Sequence, residues 1–375
     1  MRFANALRFL LGVLAVAVLP LTVAGCGADE GGQVPLASIT ATTPGVRIAA
    51  SPSPTSRTVT DMAGREVTLP LEVGRVATSG SVPVLNSFVY ALGAGDRLVS
   101  HPADRHSLPR WDFRNAFAPQ LAEAPKVDLE DGTPIVEALL SLQPDVTLTF
   151  DTAAAGLLES VGLAAVVLRW QNPEDVKEVM ALVGEVLGAE ERAAAYIAYF
   201  DETLVRVRVL ADRVPDAEKP RVLYFNPQNQ SQPHLIAEWW ITAAGGVSVT
   251  DDGRTTESMS FNVEQLLEWN PDVILVPQLA DVARVYGDPL LAELPAVVGE
   301  RVYPLPVVAH TWGNRTTELP LTVLWAAVML NPEAFASIDL HAEVSRFYAE
   351  IFDHPLTSDE VDSILDVTTE PPYER

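Results

Sequence analysis

A single cysteine, Cys26, is all the thiol that the 375 residues contain. One thiol excludes an intrachain disulfide framework and a multi-cysteine zinc site. Basic residues are also scarce: 25 Lys and Arg stand against 50 Asp and Glu, for a formal net charge of −25. A surface of that sign repels polyanions, so nucleic acid and anionic lipid are poor partners. The acids are dispersed along the chain, which is the pattern of a solvated surface and not of an acidic binding tail. The histidines are His101, His106, His234, His310, His341 and His354. None pair at the i, i+4 spacing of a helical metal site, and they form no compact set with carboxylates. No metal ligand and no cofactor is assigned. The chain also lacks a Gly-Xaa-Ser-Xaa-Gly elbow, a P-loop and a zincin motif, which argues against a hydrolase.

Long apolar runs are missing too. The run from Phe9 to Val23 follows Arg2 and Arg8 and contains Pro20. It falls short of the roughly 20 apolar residues of a spanning helix and reads as an export signal. Val23-Ala24-Gly25-Cys26 then resembles a bacterial lipobox, with residues 1–25 as the signal peptide and Cys26 as the lipidated first residue. An ordinary signal peptide ending near a cysteine is the alternative. Residues 26–57 are rich in Gly, Ala, Ser, Thr and Pro and bury too little to order themselves, so they read as a tether.

What is present is a repeat. Val136-Glu137-Ala138-Leu139-Leu140-Ser141-Leu142-Gln143-Pro144-Asp145-Val146-Thr147-Leu148 returns 127 residues later, from Val263 to Leu275, with eight of thirteen positions identical. Around it, strand-like and helix-like segments alternate in the same order in both halves, which argues for α/β layers with mainly parallel sheets. The expectation is two similar lobes joined by one long helix, with a ligand cleft between them. The N-terminal lobe spans 58–172, linker helices 173–214, the C-terminal lobe 215–366 and a tail 367–375. Thr58 to Pro70 alternates around Gly64 and reads as a hairpin. In the linker, Val176, Val179, Met180, Val183, Val186 and Leu187 recur at helical spacing. Ala194, Ile197, Tyr199, Leu204, Val207 and Leu210 do so in a second helix of about 36 Å, at 1.5 Å per residue. Pro320–Leu330 and Val344–Phe352 read as amphipathic helices, and Ser358 as the cap of a last one.

The repeat places a glutamate on each lobe. Thr133 and Ser260, four residues earlier, read as helix N-caps, with Pro134 at the first helical position. Glu137 and Glu264 then lie in the first turn, where the helix dipole favours an acid by about 0.3–1 kcal/mol. That dipole effect alone is one account of them.

The lipobox, the tether, the Asp61-Met62-Ala63-Gly64-Arg65 hairpin, the repeat and the bridging helix together resemble the metal-chelate binding proteins of ABC importers. These are the receptors for ferric siderophores, haem and vitamin B12. The closing segment, with Trp325, Pro332-Glu333-Ala334-Phe335 and Phe347-Tyr348, is similar to their iron-complex members. The resemblance implies a lipid-anchored, extracytoplasmic, monomeric receptor without enzymatic activity, working with a permease and its ATPase. It also implies that Glu137 and Glu264 dock into permease arginines, outside the cleft loops.

Ligands of open α/β sheets bind beyond the carboxyl ends of the strands. The residues there are Ser79, Gly80, Ser81, His101, Arg105, His106, Asp151, Arg169 and Trp170 in the first half. In the second they are Tyr224, Phe225, Asn226, Gln228, Gln278, His310, Trp312 and Arg315. From these and the adjacent Trp239-Trp240 pair, the chosen contacts are Arg105, Trp170, Tyr224, Trp240, His310, Trp312 and Arg315. Arginine supplies a planar fork for anionic oxygens, and Trp and Tyr supply apolar walls with a polar edge. That chemistry suits a ferric siderophore. Haem, which His310 could approach, or a corrinoid is the alternative, and a surface enzyme or sensor is the alternative of another class.

Overall fold

The computed structural model describes residues 55–80, 82–101 and 116–366. Cys26, the signal and most of the tether, Ser81, Arg105, His106 and the 367–375 tail lie outside the described residues.

The hairpin forms as its alternation predicts. β1 (Ser56–Thr60) pairs antiparallel with β2 (Glu66–Pro70), burying Val59, Val67 and Leu69. Asp61 fixes the turn. Its carboxylate accepts from the Ala63 and Arg65 amides, from the Arg65 guanidinium at 2.6 and 2.9 Å, and from the Val167 amide of the neighbouring sheet. Burial pushes the Asp61 pKa up, and these donors more than offset it, leaving the carboxyl below its ordinary value.

The first lobe is a parallel sheet in the order β3 (Val76–Ser79), β4 (Val146–Thr149), β5 (Ala165–Val167). With it go α1 (Val82–Ala91), α2 (Val136–Leu142) and α3 (Thr152–Ser160). The linker is α4 (Pro173–Leu187) and α5 (Glu190–Ala211). An Asn172–Asp175 capping box starts α4, and Gly188 ends it at φ 65°. The second lobe comprises, in chain order, β6 (Arg221–Tyr224), β7 (Ser231–Gln232), α6 (Ile236–Ala243), β8 (Val247–Ser248), β9 (Met259–Ser260), α7 (Val263–Trp269), β10 (Val273–Val276), α8 (Leu279–Gly287), α9 (Pro295–Val298) and β11 (Val302–Pro304). Its parallel sheet runs β11-β10-β6-β8, with β7 and β9 as a small antiparallel pair. Helices α10 (Leu319–Leu330), α11 (Leu340–Ile351) and α12 (Ser358–Leu365) follow.

The repeat is structural as well as textual. α2 and α7 both end in a left-handed residue, Gln143 at φ 47° and Asn270 at φ 45°. The aspartate two residues later ties each helix to the strand before it. Asp145 accepts from the Gly74 and Arg75 amides, and Asp272 from the Arg221 amide, all at 2.8 Å. Arg75 and Arg221 return the bond, donating to the last carbonyls of α2 and α7 at Leu142 and Trp269.

Several boundaries differ from expectation. Thr133 and Ser260 are not caps: Ile135 precedes α2 without a side-chain cap, and Asn262 caps α7 in a box with Gln265. Thr357, not Ser358, caps α12. α10 is not amphipathic; ten of its twelve residues are buried, because it runs through the middle of the molecule. α5 is 22 residues, about 33 Å at 1.5 Å per residue. Its buried residues are Ala193, Tyr196, Tyr199, Phe200, Thr203, Val207 and Ala211. Of the expected stripe, Tyr199 and Val207 are buried, Ile197, Leu204 and Leu210 are half-buried and Ala194 is exposed.

α5 packs on α4 on one side and on α6, α10 and α11 on the other. One apolar cluster therefore contains Val76, Val146 and Val166 of the first sheet together with Val222, Val273 and Leu275 of the second. Alternate strand residues point outward into two smaller clusters, one with Ala77, Leu139 and Val167, the other with Leu223, Leu266 and Ile274.

Candidate functional site

A helix between parallel strands runs against them, so the starts of α2 and α7 lie at the carboxyl ends of the sheets, with the ligand loops. The bonds confirm this: the ends of α2 and α7 touch Arg75 and Arg221, at the opposite, amino ends of β3 and β6. Asp128, eight residues ahead of α2, accepts from Ser79 Oγ at 2.6 Å and the Gly80 amide at 2.8 Å, at the carboxyl end of β3. The two glutamates therefore stand at the same end as the cleft loops, correcting the expectation that they lie apart from them. Both are exposed.

On the first lobe, Arg169 lies two residues beyond the end of β5 and is exposed. Its guanidinium donates to Thr152 Oγ1 at 2.7 Å, and no carboxylate among the described residues pairs with it. Beside it, Trp170 is 8 % exposed and packs on Phe150 (ring centroids 4.2 Å apart) and edge-on to Phe88 (5.4 Å). Asp151 caps α3 through the Ala153 amide.

On the second lobe, residues 305–316 form a knot. Trp312 N donates to Pro306 O, and Gly313, at φ +89°, donates to Thr322 Oγ1 and accepts from Trp240 Nε1 at 3.1 Å. Glu318, fully buried, staples the knot. It accepts from the Ala309 amide at 2.8 Å, the His310 amide at 3.1 Å and Tyr348 Oη at 2.9 Å. Burial pushes its pKa up to about 7, against the lowering effect of Tyr348, Ala309, His310 and Thr316.

Most of the chosen contacts are buried or already paired. Trp240 and Trp312 are 0 % exposed, and Tyr224 is 2 % exposed and packed on Trp240 at 5.7 Å. These three rings pack into the lobe, because an apolar ring at a strand end is covered first by the helix behind it. His310 is 8 % exposed, its Nδ1 lying 3.0 Å from Thr311 O. Arg315 is occupied in a two-pronged ion pair with Glu257 at 2.7 and 2.9 Å, with His234 Nδ1 at 3.3 Å. Burial raises the Glu257 pKa, but His234 and Arg315 more than reverse this, bringing it to about 2. Trp170 keeps only an edge toward solvent.

The residues that carry the site's framework are acids: Asp128, Glu238, Glu257, Asp281 and Glu318. Glu238 accepts from Arg254 at 2.6 Å and Thr250 at 2.9 Å, and Asp281 from Gln228 at 3.1 Å. In so acidic a chain they do not stand out. The one signal among them is an acid within an apolar stretch, clearest for Glu238 in Ile236-Ala237-Glu238-Trp239-Trp240-Ile241. A cavity of about 380 Å³ lies within the second lobe, lined by Phe225, Pro227, Gln230, Val263, Arg284 and Leu291 among others. None of the chosen contacts lines it. Among the described residues no group of three or more His, Cys, Asp or Glu is arranged to hold a metal ion. No described helix is long and apolar enough to cross a membrane.

Two parallel-sheet lobes on one helical spine, with polar loops gathered at their strand ends, define a cleft-type α/β solute-binding protein. The periplasmic binding protein family matches residues 87–309, more than half of the chain. The chain belongs to that family, within the ABC-importer receptors of the metal-chelate type. It is 23 % identical over 346 residues to the molybdate-binding protein MolA of Haemophilus influenzae, covering 79 % of this chain and 91 % of MolA. It is 24 % identical over 251 residues to the ferric enterobactin-binding periplasmic protein FepB of Escherichia coli, covering 61 % of this chain and 76 % of FepB. The crystal structure of a periplasmic solute binding protein from Veillonella parvula superposes with a TM-score of 0.74 at 25 % identity, covering 83 % of this chain and 97 % of that one.

Proposed function

We infer that this chain is a lipid-anchored receptor, held at Cys26 outside the cytoplasm, that captures an anionic, oxygen-rich metal species and delivers it to an ABC permease. The observation that carries this is Arg169. It is exposed at the carboxyl end of β5, is held in place by Thr152 and has no carboxylate partner among the described residues. Arg254 and Arg315, by contrast, are bound to Glu238 and Glu257. A guanidinium with free N–H groups beside the Phe150–Trp170 floor is suited to anionic oxygens.

A ferric siderophore is the first ligand class, in keeping with the likeness to FepB. A bare metal oxyanion is the second. It is favoured by the burial of Tyr224, Trp240 and Trp312, which removes the aromatic walls that a bulky catecholate would use, and by the likeness to MolA. Glu137 and Glu264 are the permease-docking acids in either case.

Tryptophan fluorescence and thermal shift of the purified protein separate the classes, with ferric catecholate, ferric hydroxamate, molybdate, haem and cobalamin as titrants. Arg169→Gln should weaken the anion that binds by about tenfold to a hundredfold, the weight of one charged hydrogen-bond pair, with Tm unchanged. Binding of haem or cobalamin alone, or an anion affinity indifferent to Arg169→Gln, refutes the reading.

A further inference from the structure

The eight positions that the repeat holds in common divide by what they do. Leu139 and Leu266 are in the outer clusters, Val146, Leu148, Val273 and Leu275 are 0 % exposed in the strands, and Pro144 and Pro271 are buried. Asp145 and Asp272 bind the neighbouring strand's amides, and Val136 and Val263 are half-buried. The remaining two identities lie outside the buried clusters. Glu137 and Glu264 are exposed, and their carboxylates accept no hydrogen bond from the described residues. Leu140 and Leu267 are each 42 % exposed. A surface position outside the core clusters is free to vary between two copies, as Ser141 and Glu268 do.

Within each helix the glutamate and the leucine are three residues apart, which makes them neighbours on one face, about 5–6 Å between Cβ atoms. Each lobe thus shows the same small emblem, an acid beside a bare leucine, at the carboxyl end of its own sheet.

We propose that Leu140 and Leu267 are apolar anchors of the permease contact. Their partner is a pair of equivalent membrane-spanning subunits or repeats, each offering a basic group beside an apolar hollow. Both the acid and the leucine recur at matched positions, so the partner's two receiving sites must match in charge and in apolar character. Exposed ion pairs alone set register and contribute little affinity. A leucine entering a desolvated hollow beside each pair supplies the affinity that the acids lack. This rests on the docking reading of Glu137 and Glu264 and adds to it the part of the surface that holds the complex together.

The test uses the full-length chain in its own cell, with a photo-crosslinking phenylalanine analogue placed in turn at positions 137, 140, 264 and 267, and at Leu157 of α3 (44 % exposed) as a control. The expected result is one and the same membrane-spanning chain captured from all four repeat positions and not from 157. That chain, reconstituted with its ATPase, should then need about a hundredfold more of the Leu140→Ala/Leu267→Ala protein for half-maximal stimulation, about tenfold per leucine. Ligand affinity and Tm should not move. Capture from 137 and 264 but not from 140 and 267, or an unchanged half-maximal concentration, overturns the leucine proposal and leaves the docking acids standing. Silence at all four positions overturns both.

Discussion

Replacing Glu318 by Gln keeps the shape of the staple under the 305–316 knot and removes its ability to titrate. The carboxyl faces Tyr348 of α11, Thr316 of the knot and the Ala309 and His310 amides, with Tyr196 of α5 also acting on it, and no cation is among its hydrogen-bond partners. Burial holds its pKa at about 7, above the ordinary value of 4.5. The folded protein therefore binds this proton more tightly than the unfolded chain does. The resulting stability is fully present below about pH 4.5 and is lost as the pH rises through about 7, a swing of about 3 kcal/mol. Glu318→Gln abolishes the swing. Urea unfolding of both proteins at half-unit steps from pH 4.5 to 8 isolates it, because every other carboxylate is common to the two. The difference in unfolding free energy should move in the variant's favour by about 3 kcal/mol across that range. A difference that stays flat with pH would mean that the carboxyl has the same pKa folded and unfolded, and that the backbone and Tyr348 donors fully offset its burial.

Two further outcomes follow from the same loops. Gly313→Ala sets a side chain on a residue at φ +89°, with its Cβ 2.5 Å from Leu305 Cδ1; thermal unfolding should show a loss of about 2–4 kcal/mol. Arg315→Gln leaves Glu257 with His234 alone, so its carboxyl should climb from about 2 part of the way toward 4.5, read by NMR titration of the side-chain carboxyl. Little stability should be lost with it, since Glu257 is half-exposed and the pair is screened.

The architecture was legible wherever it rested on periodicity or on a repeated string. The Pro144-Asp145 and Pro271-Asp272 pairs mark an aspartate that ties helix to strand, and the hairpin around Gly64 follows its alternation. Caps were less legible, because Thr133, Ser260 and Ser358 are good capping residues that sit one or two positions from the actual N-caps. The site was the least legible part. Trp240, Trp312 and Tyr224 have the chemistry of a ligand wall, but whether a ring faces ligand or the adjacent helix is decided by tertiary packing, which a single strand-end position does not encode. Arg169 is exposed and has no acid opposite among the described residues, whereas Arg254 and Arg315 are half-buried against theirs. That partner lies far off in sequence in the case of Arg315 and Glu257, 58 residues apart.

The shared apolar cluster has a mechanical meaning. Val76 and Val166 on one side and Val222 and Val273 on the other belong to one continuous core threaded by α5 and α10, so neither lobe owns the whole of its inner face. Swinging the lobes far apart would open that core to water, and cutting the chain between them would leave two halves that each expose it. The receptor is thus a mould more than a jaw. Its recognition geometry is set when the chain folds, the solute meets loops already in place, and the work of prising the site open for release falls to the machine that receives it.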